Sequence, residues 1–208
     1  MFEQGISRTT RTALAVLGKS TLVKQFYLAG GTACALHLGH RLSFDLDFFT
    51  PTSFNAKVLS RKIAALGSFI EDQVLPDTLL GTFLDTKVSF FQYRYPQIRK
   101  VHPFEGIAIA DLADIAAMKI DAISSRGIKR DFIDLFFIAK HYTVDEILTF
   151  YDQKYQRLEI NRFHIIKSLA YFGDADPSEM PKMIVKISWE EVKLFFEKEA
   201  IRLGKKYL

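Results

Sequence analysis

Two carboxylates separated by one apolar residue, Asp45-Leu46-Asp47, and a glycine pair followed by a hydroxyl, Gly30-Gly31-Thr32, are the residues of this chain whose types and spacing could do chemistry. From Arg41 to Phe48 the apolar residues Leu42, Phe44, Leu46 and Phe48 hold the even positions, so on a strand Asp45 and Asp47 share the opposite face. Two strand rises put their α-carbons roughly 6.6 Å apart. Their oxygens can then converge on one divalent cation, or on two about 3.5–4 Å apart. Neighbouring carboxylates repel each other unless a cation sits between them, which points to Mg²⁺ or Mn²⁺, hard ions that take oxygen ligands. Taken alone, the pair reads more readily as a solvated strand face with two exposed acids.

The glycine pair changes that balance. Gly30 and Gly31 fall between an apolar run, Gln25 to Ala29, and a helix-like stretch at 33–38, so the local order is strand, tight turn, helix. Glycines there let the backbone approach a phosphate closely, and the amides at the helix start and the Thr32 hydroxyl can donate to it. A phosphate cradle followed by a divalent-metal clamp makes a nucleoside triphosphate site.

The elements that must position these groups follow from periodicity and punctuation. Residues 8–23 read as an amphipathic helix, 44–49 as the strand carrying the acids, and 53–66 as a helix closed by Gly67. Strands at 69–75, 79–84 and 87–95, broken at Pro76-Asp77 and Asp85-Thr86, should form an antiparallel meander. From Asp111 onward the pattern is helical, roughly 111–125, 129–142, 144–155, 161–172 and 188–203. Thr143 with Glu146 and Ser188 with Glu191 form expected capping boxes. The expectation is an α+β fold, a small mixed sheet flanked by helices with a helical C-terminal half. It forms one domain over 1–208, with the sheet-containing catalytic core in 1–110.

Composition agrees with one sizeable core: 208 residues, 49% hydrophobic and 13% aromatic. The charge of +4, from 28 basic and 24 acidic residues, permits an anionic partner without demanding one. No stretch approaches the roughly 20 apolar residues that cross a bilayer, and no apolar leader opens the sequence. The expectation is therefore a cytoplasmic protein without a membrane partner. The single Cys34 excludes an internal disulfide and reads as a small core residue. Gly18-Lys19-Ser20-Thr21 looks like the end of a phosphate-binding P-loop, but the leading glycine position is Ala13, inside a helix. His37 and His40 lack the third ligand of a zinc site and read as structural.

The stretch GGTACALHLGHRLSFDLDFF, Gly30 to Phe49, resembles the Gly-Gly-Ser/Thr and Asp-x-Asp motifs of the DNA-polymerase-β-like nucleotidyltransferases. More narrowly it resembles the AbiEii/AbiGii toxins of abortive-infection and type IV toxin–antitoxin systems. AAMKIDAISSRGIKRDFIDLFFIAKHY, Ala116 to Tyr142, is similar to that family's later motifs, a helix with an essential lysine followed by Lys/Arg-Asp-x-x-Asp-Leu. The resemblance implies a polymerase-β-like fold and a metal-dependent nucleotidyltransferase acting on RNA, tRNA in particular, with a cognate antitoxin protein as partner. It implies that Gly30, Gly31, Thr32, Ser43 and Lys87 bind the nucleotide and that Asp45 and Asp47 hold the metal. Lys119 would neutralise phosphate charge, and Asp131 would be the acid near the acceptor, with Asp134 the more structural neighbour. By spacing, Lys119 and Arg126 share one helix face and Asp131 and Asp134 another, so Arg126 could equally be an ion-pair partner of either acid. One departure stands out: the strand at 87–93 carries no third carboxylate, and Asp85 at its turn is the substitute on offer. Two alternatives remain open, a transferase acting on a small molecule of the antibiotic type and a catalytically silent nucleotide-binding module.

Overall fold

The computed structural model describes residues 1–156 and 162–207. Seven strands form one mixed sheet in the order β3-β4-β5-β2-β1-β7-β6. They are β1 (Tyr27–Ala29), β2 (Leu46–Thr50), β3 (Phe69–Leu75), β4 (Thr78–Phe83), β5 (Thr86–Gln92), β6 (His102–Phe104) and β7 (Ile107–Ile109). The helices are α1 (Arg8–Lys19), α2 (Gly30–Leu38), α3 (Ala56–Ala64), α4 (Leu112–Ser125), α5 (Lys129–Ile138), α6 (Val144–Lys154), α7 (Arg162–Leu169) and α8 (Trp189–Tyr207).

The expected meander is present. β3 and β4 meet across Pro76-Asp77, with Asp77 at φ 55°, and β4 and β5 across Leu84-Asp85, both at positive φ. β5 buries Thr86, Val88 and Phe90 and turns Lys87 outward, the period-two burial of a strand with one covered face. Less visible in sequence was the hairpin of β6 and β7. Its turn, Glu105-Gly106, has φ of 46° and 81°, two left-handed residues of the kind that close tight hairpins. β7 runs parallel to β1, so residues 102–109 extend the sheet rather than link it to the helices.

β2 occupies the middle of the sheet, antiparallel to β1 and parallel to β5. Register pairs Ala29 with Asp47, Tyr27 with Phe49, Asp47 with Ser89 and Phe49 with Phe91, which puts all of these side chains on one face. Helix boundaries shifted where local chemistry intervenes. α1 stops at Lys19 rather than 23, α3 starts behind its Asn55 cap rather than at 53, and α5 ends at Ile138. Both capping boxes form, Thr143 with Glu146 and Ser188 with Glu191. Residue 161, the first of the expected 161–172 helix, lies outside the described residues, and α7 covers Arg162–Leu169. None of the described helices is long and apolar enough to cross a membrane.

Behind the sheet face, α4 and α6 are tied by an ion pair that is wholly enclosed. Lys154 Nζ reaches Asp114 Oδ1 at 2.7 Å and the Pro96 carbonyl at 3.0 Å, while Asp114 also accepts from the amides of Ile98 and Arg99. Truncating one partner of such a pair strands a charge in the interior. Lys154→Ala should lower unfolding free energy by about 3–5 kcal/mol in urea titrations, whereas Thr143→Ala, which removes only a cap, should remove about 1 kcal/mol. Equal losses in the two variants would show that the buried pair carries no special weight.

Candidate active site

Gly30 and Gly31 do not form a turn ahead of α2; they are its first two residues. Gly30 takes φ +67°, and an added Cβ there would stand 2.9 Å from Asp47 Oδ2. At Gly31 the same atom would stand 2.5 Å from Arg41 Nη2. The glycines therefore make room first for the site's own side chains, bringing the Asp47 carboxylate and the Arg41 guanidinium against the helix start. No side chain caps that start, whose preceding residue is Ala29, so the first amides are left for another acceptor.

The acids are delivered by a segment held from both sides. Asp45 lies one residue before β2 instead of within the strand. The Ser43 amide donates to the Gly5 carbonyl at 2.9 Å, and the Thr10 hydroxyl donates to the Phe44 carbonyl at 3.1 Å. On the other side the Leu42 amide donates to the Lys182 carbonyl at 2.8 Å, and two amides, of Ile184 and Val185, donate to the carbonyl of His40. Thr32 belongs to this scaffold. Its hydroxyl is buried, donates to the Asp45 carbonyl and lies 2.8 Å from the Ser43 hydroxyl. That corrects the sequence expectation of a Thr32 hydroxyl offered to phosphate: the side chain fixes the backbone of Asp45 and does not face the cleft.

The cleft itself, about 340 Å³, is lined by Gly30, Gly31, Arg41, Ser43, Asp45, Asp47, Lys87, Ser89, Lys119, Arg126, Arg130 and Asp131, with Phe49, Phe91, Ile115 and Met118 on its apolar side. Residues more than 70 positions apart in sequence thus meet at one place, as the family motifs imply for Lys119 and Asp131. Asp85 is exposed at the β4–β5 turn and is not part of the lining, so it does not supply a third carboxylate. Arg41, Ser89 and Arg130 are contributions that motif reading missed. Arg41 had a signal, a lone arginine opening the alternating run, whereas Arg130 needed the α4–α5 geometry.

Beneath the cleft runs a chain of buried charges. Arg41 binds Asp134 with both Nε and Nη2, at 2.6 and 2.8 Å, and His40 Nε2 lies 2.7 Å from the same carboxylate. Lys119 Nζ sits between Asp134 Oδ2 at 2.7 Å and Asp131 Oδ1 at 2.8 Å, and Arg126 takes the other oxygen of Asp131 at 3.2 Å. Burial alone would push the Lys119 amine down; the charges of Asp134 and Asp131 overcome it and hold the amine above its ordinary value. Asp131 is likewise opposed by burial, yet Lys119 and Arg126 keep its carboxyl below the usual range. A carboxylate with both oxygens engaged and a lowered pKa is a poor proton acceptor, so the geometry gives Asp131 the work of orienting Lys119 and Arg126.

Cys34, His40 and Asp134 also bring ligand atoms within 4.8 Å of one another. Burial keeps the Cys34 thiol protonated, and Arg41 and Lys119 already supply positive charge to Asp134. This cluster is a structural polar knot rather than a cation site.

Asp45 and Asp47 are different. Among the described residues neither has an ion-pair partner, while Asp114, Asp131 and Asp134 each have at least one. Burial raises the Asp47 carboxyl above its ordinary value, the Ser89 hydroxyl opposes that, and the Asp45 charge adds to it. Lys87 and Arg130 face the same cleft, likewise without ion pairs among the described residues.

A family model for the nucleotidyl transferase AbiEii toxins of type IV toxin–antitoxin systems matches residues 12–182. The chain belongs to the AbiEii nucleotidyltransferase toxin family. An uncharacterized protein of Aquifex aeolicus, aq_aa25, is 37% identical over 200 residues, covering 93% of this chain and 95% of its own. Solved structures share the fold at lower identity. A candidate nucleotidyltransferase of Helicobacter pylori matches with TM-score 0.56 and 20% identity over 96% of this chain and 93% of that one. The nucleotidyltransferase toxin MenT4 of Mycobacterium tuberculosis matches with TM-score 0.53 and 15% identity over 94% and 86%. The mixed sheet and its flanking helices are accordingly a nucleotidyltransferase fold, and this AbiEii member is a nucleotidyltransferase.

The unpaired Asp47 has a measurable consequence. A carboxyl whose folded pKa lies above its unfolded value opposes folding once it is ionised, fully above the folded pKa and not at all below the unfolded one. Asp47→Asn should therefore raise Tm at pH 7, by about 2–4 °C if the relief is on the order of 1 kcal/mol. The gain should shrink as pH falls toward the ordinary carboxylate range. A Tm lowered at pH 7 in metal-free buffer would mean that Asp47 is a net structural support.

Proposed function

We propose that this chain moves a nucleoside monophosphate from a nucleoside triphosphate to an acceptor hydroxyl, releasing pyrophosphate, with Mg²⁺ or Mn²⁺ held by Asp45 and Asp47. The observation that carries the reading is the pattern of pairing. Asp114, Asp131 and Asp134 are neutralised by buried partners, while Asp45 and Asp47 in the cleft have no ion-pair partner among the described residues, beside two equally unpaired cations. Two oxygen donors with uncompensated charge suit a hard divalent cation, and a triphosphate supplies the anion that Lys87 and Arg130 lack.

When bound, the cation would draw negative charge from the α-phosphate and hold it for attack. The chain's own groups do the rest. The uncapped start of α2 at Gly30 and Gly31 offers amides to phosphate oxygens, with the Ser43 hydroxyl beside them, while Lys87 and Arg130 take terminal phosphate charge from the two walls. Lys119 and Arg126, fixed by Asp131, set a positive floor under the transferring group. The apolar side, Phe49, Phe91 and Met118, leaves a surface for the base. As an AbiEii toxin the chain would act on RNA, tRNA in particular, in the cytoplasm. Its product would arrest growth in abortive infection until an antitoxin protein intervenes.

A second reading, a silent nucleotide-binding module, draws on one feature: β5 faces the cleft with Lys87, Ser89 and Phe91 and no third carboxylate. Calorimetry separates the possibilities when combined with a transfer assay. The Asp45→Asn, Asp47→Asn double variant should lose at least about 100-fold in Mg²⁺–nucleotide affinity, near 2.7 kcal/mol. Arg130→Ala, on an exposed side chain, should lose about tenfold. Unchanged affinity in the double variant would remove the site. Intact binding by the wild-type chain, with no transfer of labelled nucleotide to any RNA pool, would favour the silent module.

A further inference from the structure

The face that carries Asp47 does not end at the cleft. Phe49 and Phe91, on the cleft's apolar side, continue into Tyr93 and Tyr95 through ring contacts of 5.4 Å between Phe49 and Tyr93 and 5.0 Å between Tyr93 and Tyr95. Tyr27 lies 6.0 Å from Phe49, and Tyr155 lies 4.7 Å from Tyr95. This aromatic strip leads past the end of β2 to a second cavity of about 520 Å³, whose lining includes Tyr27, Pro51, Arg94, Tyr95, Lys154 and Tyr155.

The polar groups around that cavity include the donors Lys154 and Arg94, the Tyr27 hydroxyl, and the side-chain amides of Gln97 and Gln156, which can donate and accept. Lys154 is enclosed, paired with Asp114 and the Pro96 carbonyl and 5.5 Å from the Tyr93 ring centroid, and lends positive charge behind that wall. The Tyr27 side chain is 5% exposed, and its hydroxyl has no hydrogen-bond partner among the described residues. Arg94 is exposed and donates to Gln92 Oε1 at 3.1 Å, leaving most of its guanidinium free. Among the described residues no carboxylate is part of the lining. An occupant that suits such walls brings a flat apolar face, carbonyl acceptors and a nearby anion, which together describe a nucleotide.

We infer that this second cavity binds one nucleotide unit of a single-stranded RNA, its base among Tyr27, Tyr95 and Tyr155 and its phosphate on Arg94, and that the aromatic strip leads that strand toward the cleft. Calling the strand the acceptor rests on the transfer reading; the binding site does not. A pyrimidine fits these walls, since a ring carbonyl can accept from the unpartnered Tyr27 hydroxyl. A free nucleotide offers the same chemistry, so the measurement has to separate the two sources.

Fluorescence anisotropy of labelled pentauridylate on the full chain, without triphosphate or metal, tests this, with unlabelled UMP as competitor. Tyr95→Ala and Arg94→Ala should each weaken pentauridylate binding about tenfold, the loss expected for one stacked base or one phosphate contact. Tyr27→Phe should weaken it while leaving the thermal transition in place, and Asp47→Asn should leave it unchanged. UMP should compete only weakly, because it reaches a single unit of the strip. Arg94→Ala and Tyr27→Phe keep the test open if Tyr95→Ala does not fold. Affinity unaffected by both of those variants overturns the inference, as does an equal loss in Asp47→Asn, which would place the strand in the cleft. UMP binding as tightly as pentauridylate would overturn the strand in favour of a free nucleotide. Loss of transfer activity with this binding intact would count against the transfer reading alone.

Discussion

The constraint on which the rest of this molecule depends is the burial of Asp134. A carboxylate with no solvent contact requires counter-charge, and three groups converge on it: Arg41 from the segment leading into β2, Lys119 from α4, and His40. Because Asp134 itself sits on α5, satisfying one charge fixes three stretches of backbone relative to one another. Arg41 then stands against Gly31, Lys119 reaches Asp131, and Asp131 reaches Arg126 at the rim. Such a network is a weak source of net stability compared with apolar packing, since desolvation offsets most of the attraction. What it supplies is position. A partner removed anywhere leaves a charge without compensation, so the geometry under the cleft is all-or-none.

That rigid floor explains why the cleft can tolerate groups left unpaired. Asp45 and Asp47 repel each other and Asp47 is partly desolvated, a state the surrounding scaffold has to hold against relaxation. The Gly5 and Lys182 carbonyls, accepting from the Ser43 and Leu42 amides, and the Thr10 and Thr32 hydroxyls, donating to the Phe44 and Asp45 carbonyls, do so through the backbone, leaving both carboxylates to line the cleft. The contrast with Asp131 is instructive. It comes from the same motif set, yet both its oxygens are used internally, and it works through Lys119 and Arg126. Membership in a motif and availability for chemistry are separate properties, and only the hydrogen-bond partners tell them apart.

Much of this was legible in the sequence because it rests on local patterns. Alternation around Asp45 and Asp47 exposed their common face, strand punctuation gave the meander, and the two capping boxes marked α6 and α8. What escaped was of two kinds. The β6–β7 hairpin is too short for periodicity to register, and its Glu105-Gly106 turn carries no Asn-Gly or Asp-Gly flag. The rest was non-local. Nothing near Thr32 says that its hydroxyl is taken by the carbonyl of Asp45, and nothing near Gly31 says that the space it leaves belongs to Arg41. A valine there, which from sequence looks like a clean block to phosphate, would also push the guanidinium away from Asp134. Close approach by a glycine has a partner, and the sequence names the glycine without naming the partner.

The missing third carboxylate takes on a different meaning once register is known. Ser89 faces Asp47 directly across β5, at a position where a third acid would stand beside the first two. A carboxylate there would raise the repulsion already felt by Asp47; a hydroxyl lowers it instead. Lys87, two residues earlier on the same face, adds positive charge to that wall. β5 therefore moderates the cleft's negative charge where a third acid would increase it. Two acids with a hydroxyl and a lysine opposite need less counter-charge than three acids would. Under the proposed transfer reading, the chain's own cations, Lys87, Arg130 and the Lys119–Arg126 floor, would share the phosphate charge with a cation on Asp45 and Asp47.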